Sequence, residues 1–433
     1  MRRRLVCQHR TGAFKTVCIG VVDVKRVLVL VSAIAMTVGL AACGGSSNSG
    51  GGGSSGSGGS SGGDITVGLA DDLTGPLAVY GQYTQTYVKA VVDYTNAQGG
   101  INGHKVKLVT ADAAATGQNA SSATQQLINS QHVSAIFGFT LSDDCGAVAA
   151  LATAHKTPLI CSSIPPANLS PVQKYIFGAT TVEAQEVPAT IQFIQDHLKL
   201  PSGTKYATIV AGSLGAQLYG QKAAAAADKA GYKQVDKEVV PLTAVNASTQ
   251  ISKLVSTKPQ VIIAEMVTPN YLPLIKALRA AGNDAPVIAS DASIGYQGMN
   301  SLADPNVYQI GLAHFITDLN PTEQGAKMAV EALAMEGQKT LDQINQVLGP
   351  QAFPAPYAVM QALKSCGYPC SGDKLADQLE QVKLTLPGLV DGTFGWTSDL
   401  HLPYSELSIY GWDPATKQPK LAQSGLQAGP LNG

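Results

Sequence analysis

The chain has 433 residues, with 29 Lys and Arg against 30 Asp and Glu, and only 14% of its residues are charged. A balance of that kind gives no electrostatic footprint for nucleic acid, and the length suffices for two domains that each bury a core. The charge is unevenly placed: cleavage before Cys43 removes seven basic residues and one acid and leaves 22 basic against 29 acidic, about −7.

In chain order, Lys25 and Arg26 precede a charge-free stretch, 27–40, that has the length of a signal h-region and is too short to span a bilayer. It closes in Leu40-Ala41-Ala42-Cys43, which is similar to a bacterial lipobox. The junction implies a signal segment over 1–42 that is removed, acylation of Cys43, and a protein held outside the cell on its membrane. A plain secretory signal and an uncleaved anchor are the alternatives. Residues 44–63 are Gly, Ser and one Asn. They predict a flexible tether, 43–63, reaching on the order of 25 Å.

From Ile65 the sequence alternates short β-branched runs with amphipathic segments. Strands are predicted at 65–69, 105–110, 134–139 and 157–161, with helices near 82–98, 118–131 and 143–155. The rhythm restarts after Thr181, with strands at 206–210, 234–240, 261–265 and 285–290 and helices near 184–198, 217–231, 247–256 and 269–281. Repeated βαβ units predict an α/β fold of two Rossmann-like lobes with parallel sheets. Helices near 323–337, 355–365 and 373–383 form a tail without strands enough for a third domain. Among the cysteines after Cys43, Cys366 and Cys370 can close through a Gly/Pro turn, and Cys145 and Cys161 flank a helix and the next strand. An even count outside the cell predicts two disulfides in these pairs. A metal site is discounted, since no His lies near either pair at ligand spacing.

The stretches Thr74-Gly75-Pro76-Leu77-Ala78-Val79-Tyr80-Gly81, Asn96-Ala-Gln-Gly-Gly-Ile-Asn-Gly103, Ile136-Phe-Gly-Phe, Lys156-Thr-Pro-Leu-Ile, Gln217-Leu-Tyr-Gly220 and Ala280-Ala-Gly282 resemble, in order and spacing, the type I periplasmic binding proteins of the leucine/isoleucine/valine class. The resemblance runs from about Ile65 to about Trp412. It implies a solute receptor of an ABC importer, with no cofactor and no metal, working as a monomer with a membrane permease. It also implies three chain crossings near 178–182, 313–317 and 391–396. These give one lobe of 64–180 with 315–392 and a second of 181–314 with 393–433, the ligand lying between them.

By the same resemblance, Ser142 at a helix start and Ser163 and Ile164 of the following strand-end loop hold a polar head. Tyr80 is an aromatic wall, Tyr219 and Thr268 close from the second lobe, and Asp291 meets an ammonium. Each has a plainer reading: Ser142 as a helix cap and a lone Tyr as partly buried core. Three departures weaken an amino-acid head. Asp143 and Asp144 reduce the positive potential of their helix start, Pro165 and Pro166 bring no N–H to the gripping loop, and Asp291 is one methylene shorter than the usual Glu. Ala211-Gly-Ser-Leu-Gly215 lacks the first glycine of a nucleophile elbow, and no phosphate loop or metal-binding His pair is present, so catalysis is not expected. The remaining alternatives are a sensor that signals closure to a membrane partner and, behind it, an extracellular hydrolase.

Overall fold

The computed structural model describes residues 63–431 except Pro76, Ala115, Val245, Ala292, Val347 and Leu348. The signal segment, Cys43 and nearly all of the tether lie outside the described residues. Among those described, no helix is long and apolar enough to cross a membrane.

The first sheet has the order β2-β1-β3-β4-β5 and is parallel throughout. Its strands are β1 (Ile65–Asp71), β2 (Val106–Asp112), β3 (Ile136–Gly138), β4 (Leu159–Cys161) and β5 (Ile176–Gly178), linked by α1 (Ala78–Ala97), α2 (Gly117–Asn129) and α3 (Ser142–Ala154). The second unit begins with α4 (Val187–Asp196). It continues through β6 (Lys205–Ala211), α5 (Leu214–Lys229), β7 (Lys233–Val240), α6 (Ser248–Ser256), β8 (Val261–Glu265), α7 (Tyr271–Ala280), β9 (Val287–Ala289), α8 (Gly295–Leu302) and β10 (Val307–Gly311). After β10 the chain runs through α9 (Gln324–Met335), α10 (Leu341–Ile344), α11 (Pro354–Cys366) and α12 (Gly372–Leu379); α9 and α11 pack on α1. It then returns as the hairpin β11 (Glu406–Asp413) and β12 (Gln418–Gln427), which extends the second sheet to β12-β11-β10-β9-β8-β6-β7.

The strands β1, β6 and β8 form around short β-branched stretches, Ile65-Thr-Val, Thr208-Ile-Val and Val261-Ile-Ile, and they are almost wholly buried, as a parallel sheet covered on both faces requires. β5, β10 and the β11–β12 hairpin, with α8 and α10, go beyond the elements predicted from sequence. The tail therefore contributes strands as well as helices, and β11 pairs antiparallel to β10.

The chain passes between the two sheets three times: after β5, after β10 and before β11. The crossings are cross-tied. Fully buried Trp396 donates its indole N–H to the Gly178 carbonyl at 2.8 Å, and the His314 N–H donates to the Leu389 carbonyl at 2.8 Å. His314 also meets Asp391 at 2.8 Å and the Tyr410 hydroxyl at 2.6 Å, while the Ser408 hydroxyl donates to the other Asp391 oxygen.

Cys145 in the first turns of α3 is bonded to Cys161 at the end of β4, and Cys366 at the end of α11 is bonded to Cys370, with Cα separations of 6.1 and 5.7 Å. Sequence separations of 16 and 4 correspond to about 3 and about 2 kcal/mol of lost unfolded-chain entropy. Replacing Cys145 and Cys161 together by Ala is therefore expected to lower unfolding free energy more than the same change at Cys366 and Cys370. Urea titration of the two double variants checks this ordering, and equal losses would contradict it.

Candidate functional site

The carboxyl ends of the two sheets face each other across a cavity of about 150 Å³. A dry cavity of that volume admits a guest about the size of benzene. From the first sheet come Gly138 and Phe137 at the end of β3, Ile160 of β4, and Ser162 and Ser163 just beyond it. From the second come Ala211 at the end of β6, Glu265 at the end of β8, and Asp291 and Ser293 beyond β9. Strand ends gather at such a crevice because the loops and helix starts that follow parallel strands all emerge on one side.

Tyr80, in the first turn of α1, is 8% exposed and crosses the cleft. Its hydroxyl lies 3.1 Å from Thr268 Oγ1 and accepts the Thr268 N–H at 3.2 Å. Burial raises the phenol above its ordinary range, so it stays protonated and can donate to Oγ1 while accepting from the amide. Ser142, the first residue of α3, and Ser163 line the cavity beside Ser162. The amides of that loop are already engaged: Ser162 N–H donates to Gly138 O at 2.7 Å and Ser163 N–H to Phe139 O at 3.1 Å. Thr268 is absent from the cavity wall itself and acts on it through Tyr80.

Asp291 lines the cavity and accepts a hydrogen bond from Gln351 Nε2 at 3.0 Å. Gln351 belongs to a single 3-10 turn (Gly349–Ala352) packed against α1 and α11, so this bond also spans the cleft. The Asp291 N–H donates to Glu186 Oε2 at 3.1 Å, and Glu186 is fully buried. Burial pushes the Asp291 carboxyl up, against the opposing pull of its hydrogen bonds to Glu186 and Gln351.

Besides Thr268, two residues expected at the site are not on the cavity wall. Ile164 is 2% exposed and packs in the core of the first lobe. Tyr219 is fully buried on the inward face of α5, with Ala216, Gly220, Ala223 and Ala227. The helical spacing of those small residues puts Tyr219 in their core stripe, and its phenol is raised by burial and by Glu186. Sequence reasoning missed Glu186, Glu265 and Gln351. Glu186 reads as an ordinary acid at a helix start, and nothing in the sequence ties Gln351 to residues 60 positions away.

On the first-lobe side, Asp144 is 2% exposed, and burial, then Asp143 and Asp71, push its carboxyl up to about 6. A carboxyl raised in the folded state contributes most stability below its unfolded value near 4 and loses it as pH rises through about 6. Asp144→Asn should therefore stabilise the fold at pH 7.5 by on the order of 1 to 2 kcal/mol and have little effect at pH 4. Thermal unfolding at the two pH values reads this directly; a variant less stable at pH 7.5 would show instead that the ionised carboxylate supports the fold.

The sequence comparisons agree with this geometry. Residues 64–418 match the model of a family described as periplasmic binding protein. An amino acid binding protein of Pseudomonas aeruginosa is 22% identical over 362 residues, covering 83% of this chain and 92% of the relative. Among solved structures, a branched-chain amino acid ABC transporter protein from Thermus thermophilus with bound valine superposes with a TM-score of 0.74 at 15% identity, over 84% of this chain and 98% of the other. A solute-binding protein from R. palustris in complex with 4-hydroxybenzoate gives 0.71 at 17%, over 84% and 98%. With two largely parallel sheets facing one cavity and a family match over most of its length, the chain belongs to the periplasmic binding protein family.

Proposed function

We propose that this chain is the extracytoplasmic solute receptor of an ABC importer, capturing a small, partly apolar molecule such as a branched-chain amino acid or a related compound between two closing lobes. The observation that carries the reading is the cavity walled from both sheets and bridged by two cross-cleft contacts, Tyr80 to Thr268 and Gln351 to Asp291. A guest there touches both lobes only when the cleft is closed, so its binding free energy favours the closed form. The relatives support the same role: they include an amino acid binding protein and ABC transporter proteins holding valine or an aromatic acid.

In this reading the lobes are 64–180 with 315–392 and 181–314 with 393–433. Ser142, Ser163, Tyr80 and Asp291 meet the guest, and Thr268 holds Tyr80 in place. The receptor works as a monomer, docks on a permease and performs no chemistry on what it carries. Acylation at Cys43 attaches it to the outer face of the cell membrane through the tether.

Tyr80→Phe removes the hydroxyl that makes both contacts to Thr268 and leaves the Thr268 N–H without its acceptor. At about 0.5 to 1.5 kcal/mol for each hydrogen bond, the closed form should lose on the order of tenfold in population. Small-angle scattering of the unliganded variant should show a more open particle, and calorimetry with valine, leucine and isoleucine should show affinity falling by a similar factor wherever the parent binds. Unchanged scattering would refute the clasp. For the anchor, Cys43→Ala should move the protein from the membrane fraction to the medium or leave it as precursor; a processed variant that stays on the membrane would refute acylation at that residue.

A further inference from the structure

The class of guest can be narrowed, on the reading that the cleft is a capture site. Both acids of the cavity wall, Asp291 and Glu265, already have partners in the protein. Asp291 accepts from Gln351 Nε2 at 3.0 Å, and its carboxyl is hydrogen-bonded to Glu186. A carboxylate can only accept, so two carboxyls hydrogen-bond by sharing a proton, and the pair carries one charge where two would repel. Glu265 is engaged within the protein as well. An ammonium seeking Asp291 would compete with Gln351, at the expense of one of the two contacts that hold the cleft shut.

An anion fares no better. Among the described residues the wall has no Lys, Arg or His. The Ser162 and Ser163 amides donate to the Gly138 and Phe139 carbonyls, and Pro165 and Pro166 have no N–H. The way in is uncharged too. The segments 73–83, 212–221, 241–252 and 266–275 reach the wall through Leu77, Ser213, Leu242 and Val267, and they contain no Asp, Glu, Lys, Arg or His. Such a rim offers an ion no local steering.

Three hydroxyls of the first lobe stay open. Thr140 donates to Asp71, Thr180 donates to the Ser162 carbonyl and Ser293 is paired with Ser290. Among the described residues, the hydroxyls of Ser142, Ser162 and Ser163 have no such partner. They share the wall with an apolar floor, Val88 of α1, Phe137 of β3 and Ile160 of β4. A hydroxyl both donates and accepts, which suits a neutral polar group of either kind.

We propose that the cleft is selective for a compact uncharged molecule, its apolar body on the Val88–Phe137–Ile160 floor and a single hydroxyl, carbonyl or amide group against Ser142, Ser162 and Ser163. The selectivity comes from a wall whose charged groups satisfy one another. A charged guest leaves water without gaining a counter-charge, whereas a neutral one loses little and finds the three serines.

The test uses the mature protein and probes on two bodies, branched and phenyl: 4-methylpentanamide and benzamide (neutral), 3-methylbutylamine and benzylamine (cations), 4-methylpentanoate and benzoate (anions), and leucine (zwitterion on the branched body). Calorimetry at pH 7.5 should show each charged probe at least about tenfold weaker than the amide on the same body. A charged probe that binds more tightly than its amide, or binding by neither amide, overturns the assignment. Replacing Ser142 and Ser163 together by Ala should lower the ratio of benzamide to toluene affinity by about tenfold. A merely loosened cleft would weaken both alike, and that result overturns the role given to the serines. Scattering on the same samples separates this from the capture reading: tight leucine binding with closure leaves capture standing and refutes the neutral guest, whereas amide binding without closure refutes capture and leaves the neutral guest standing.

Discussion

One carboxylate oxygen organises the first half of the cleft. Asp71 Oδ1, at the last residue of β1, accepts the N–H of Asp72 at 3.0 Å and both the N–H and the hydroxyl of Thr140 at 3.0 and 2.8 Å. It fastens the end of β1 to the turn between β3 and α3, past the point where strand pairing stops, and so fixes where α3 begins and where Ser142 faces. Asp112 does the same beside it, taking the N–H of Leu73 and Ala114 on one oxygen and the Thr74 hydroxyl on the other. The close approach this enforces explains Gly138: its φ is 126°, and a Cβ there would lie 2.0 Å from the Ala70 carbonyl oxygen. A fully buried carboxyl has a large desolvation penalty, and burial accordingly raises Asp71 despite donors from Thr140, Asp72 and Thr84 pulling the other way.

The two ends of the molecule's central crevice are built differently. At the crossings, the side chains that tie one connection to another are large and buried or half-buried: Trp396 on Gly178, and His314 between Asp391 and Tyr410. At the mouth, the lobes touch through a few hydrogen bonds from Tyr80 and Gln351. Tied crossings and a lightly held mouth are the arrangement a hinge requires, because opening breaks a few solvent-replaceable bonds while the connections keep their packing.

How far the sequence could be read depends on segment length and partner distance. The runs Ile65–Asp71, Lys205–Ala211 and Val261–Glu265 are long enough for their apolar content to declare strands, and both lobes follow from their alternation with helices. β5, with three residues, has no room for a period, and β12, Gln418–Gln427, is a mostly exposed, polar edge strand recognisable only by its pairing with β11. At the site, Ser142, Ser163 and Asp291 were legible because each follows a strand at a position the motif order fixes. Glu186 and Gln351 were not, since their importance rests on contacts made across 105 and 60 residues of chain. Tyr219 shows the opposite limit: the family motif pointed it at the ligand, while the small residues one helical turn to either side already placed it in the core.

The place where the folded body begins sets how it answers a pull. β1 starts at Ile65, whose N–H donates to Lys105 O at 2.8 Å, and lies between β2, which it matches over seven residues, and β3. Just ahead of it the Gly63 carbonyl meets the His104 ring, which is stacked on Tyr368 inside the loop closed by Cys366 and Cys370. Tension entering at Asp64 along the strand axis therefore loads two parallel ladders in shear, many bonds sharing the force at once, where an edge hairpin would be peeled bond by bond. That strand is paired on both sides and belongs to the lobe that carries Ser142 and Ser163. Drag on the protein would be borne by that lobe's interior and would leave the cleft contacts free to open and close.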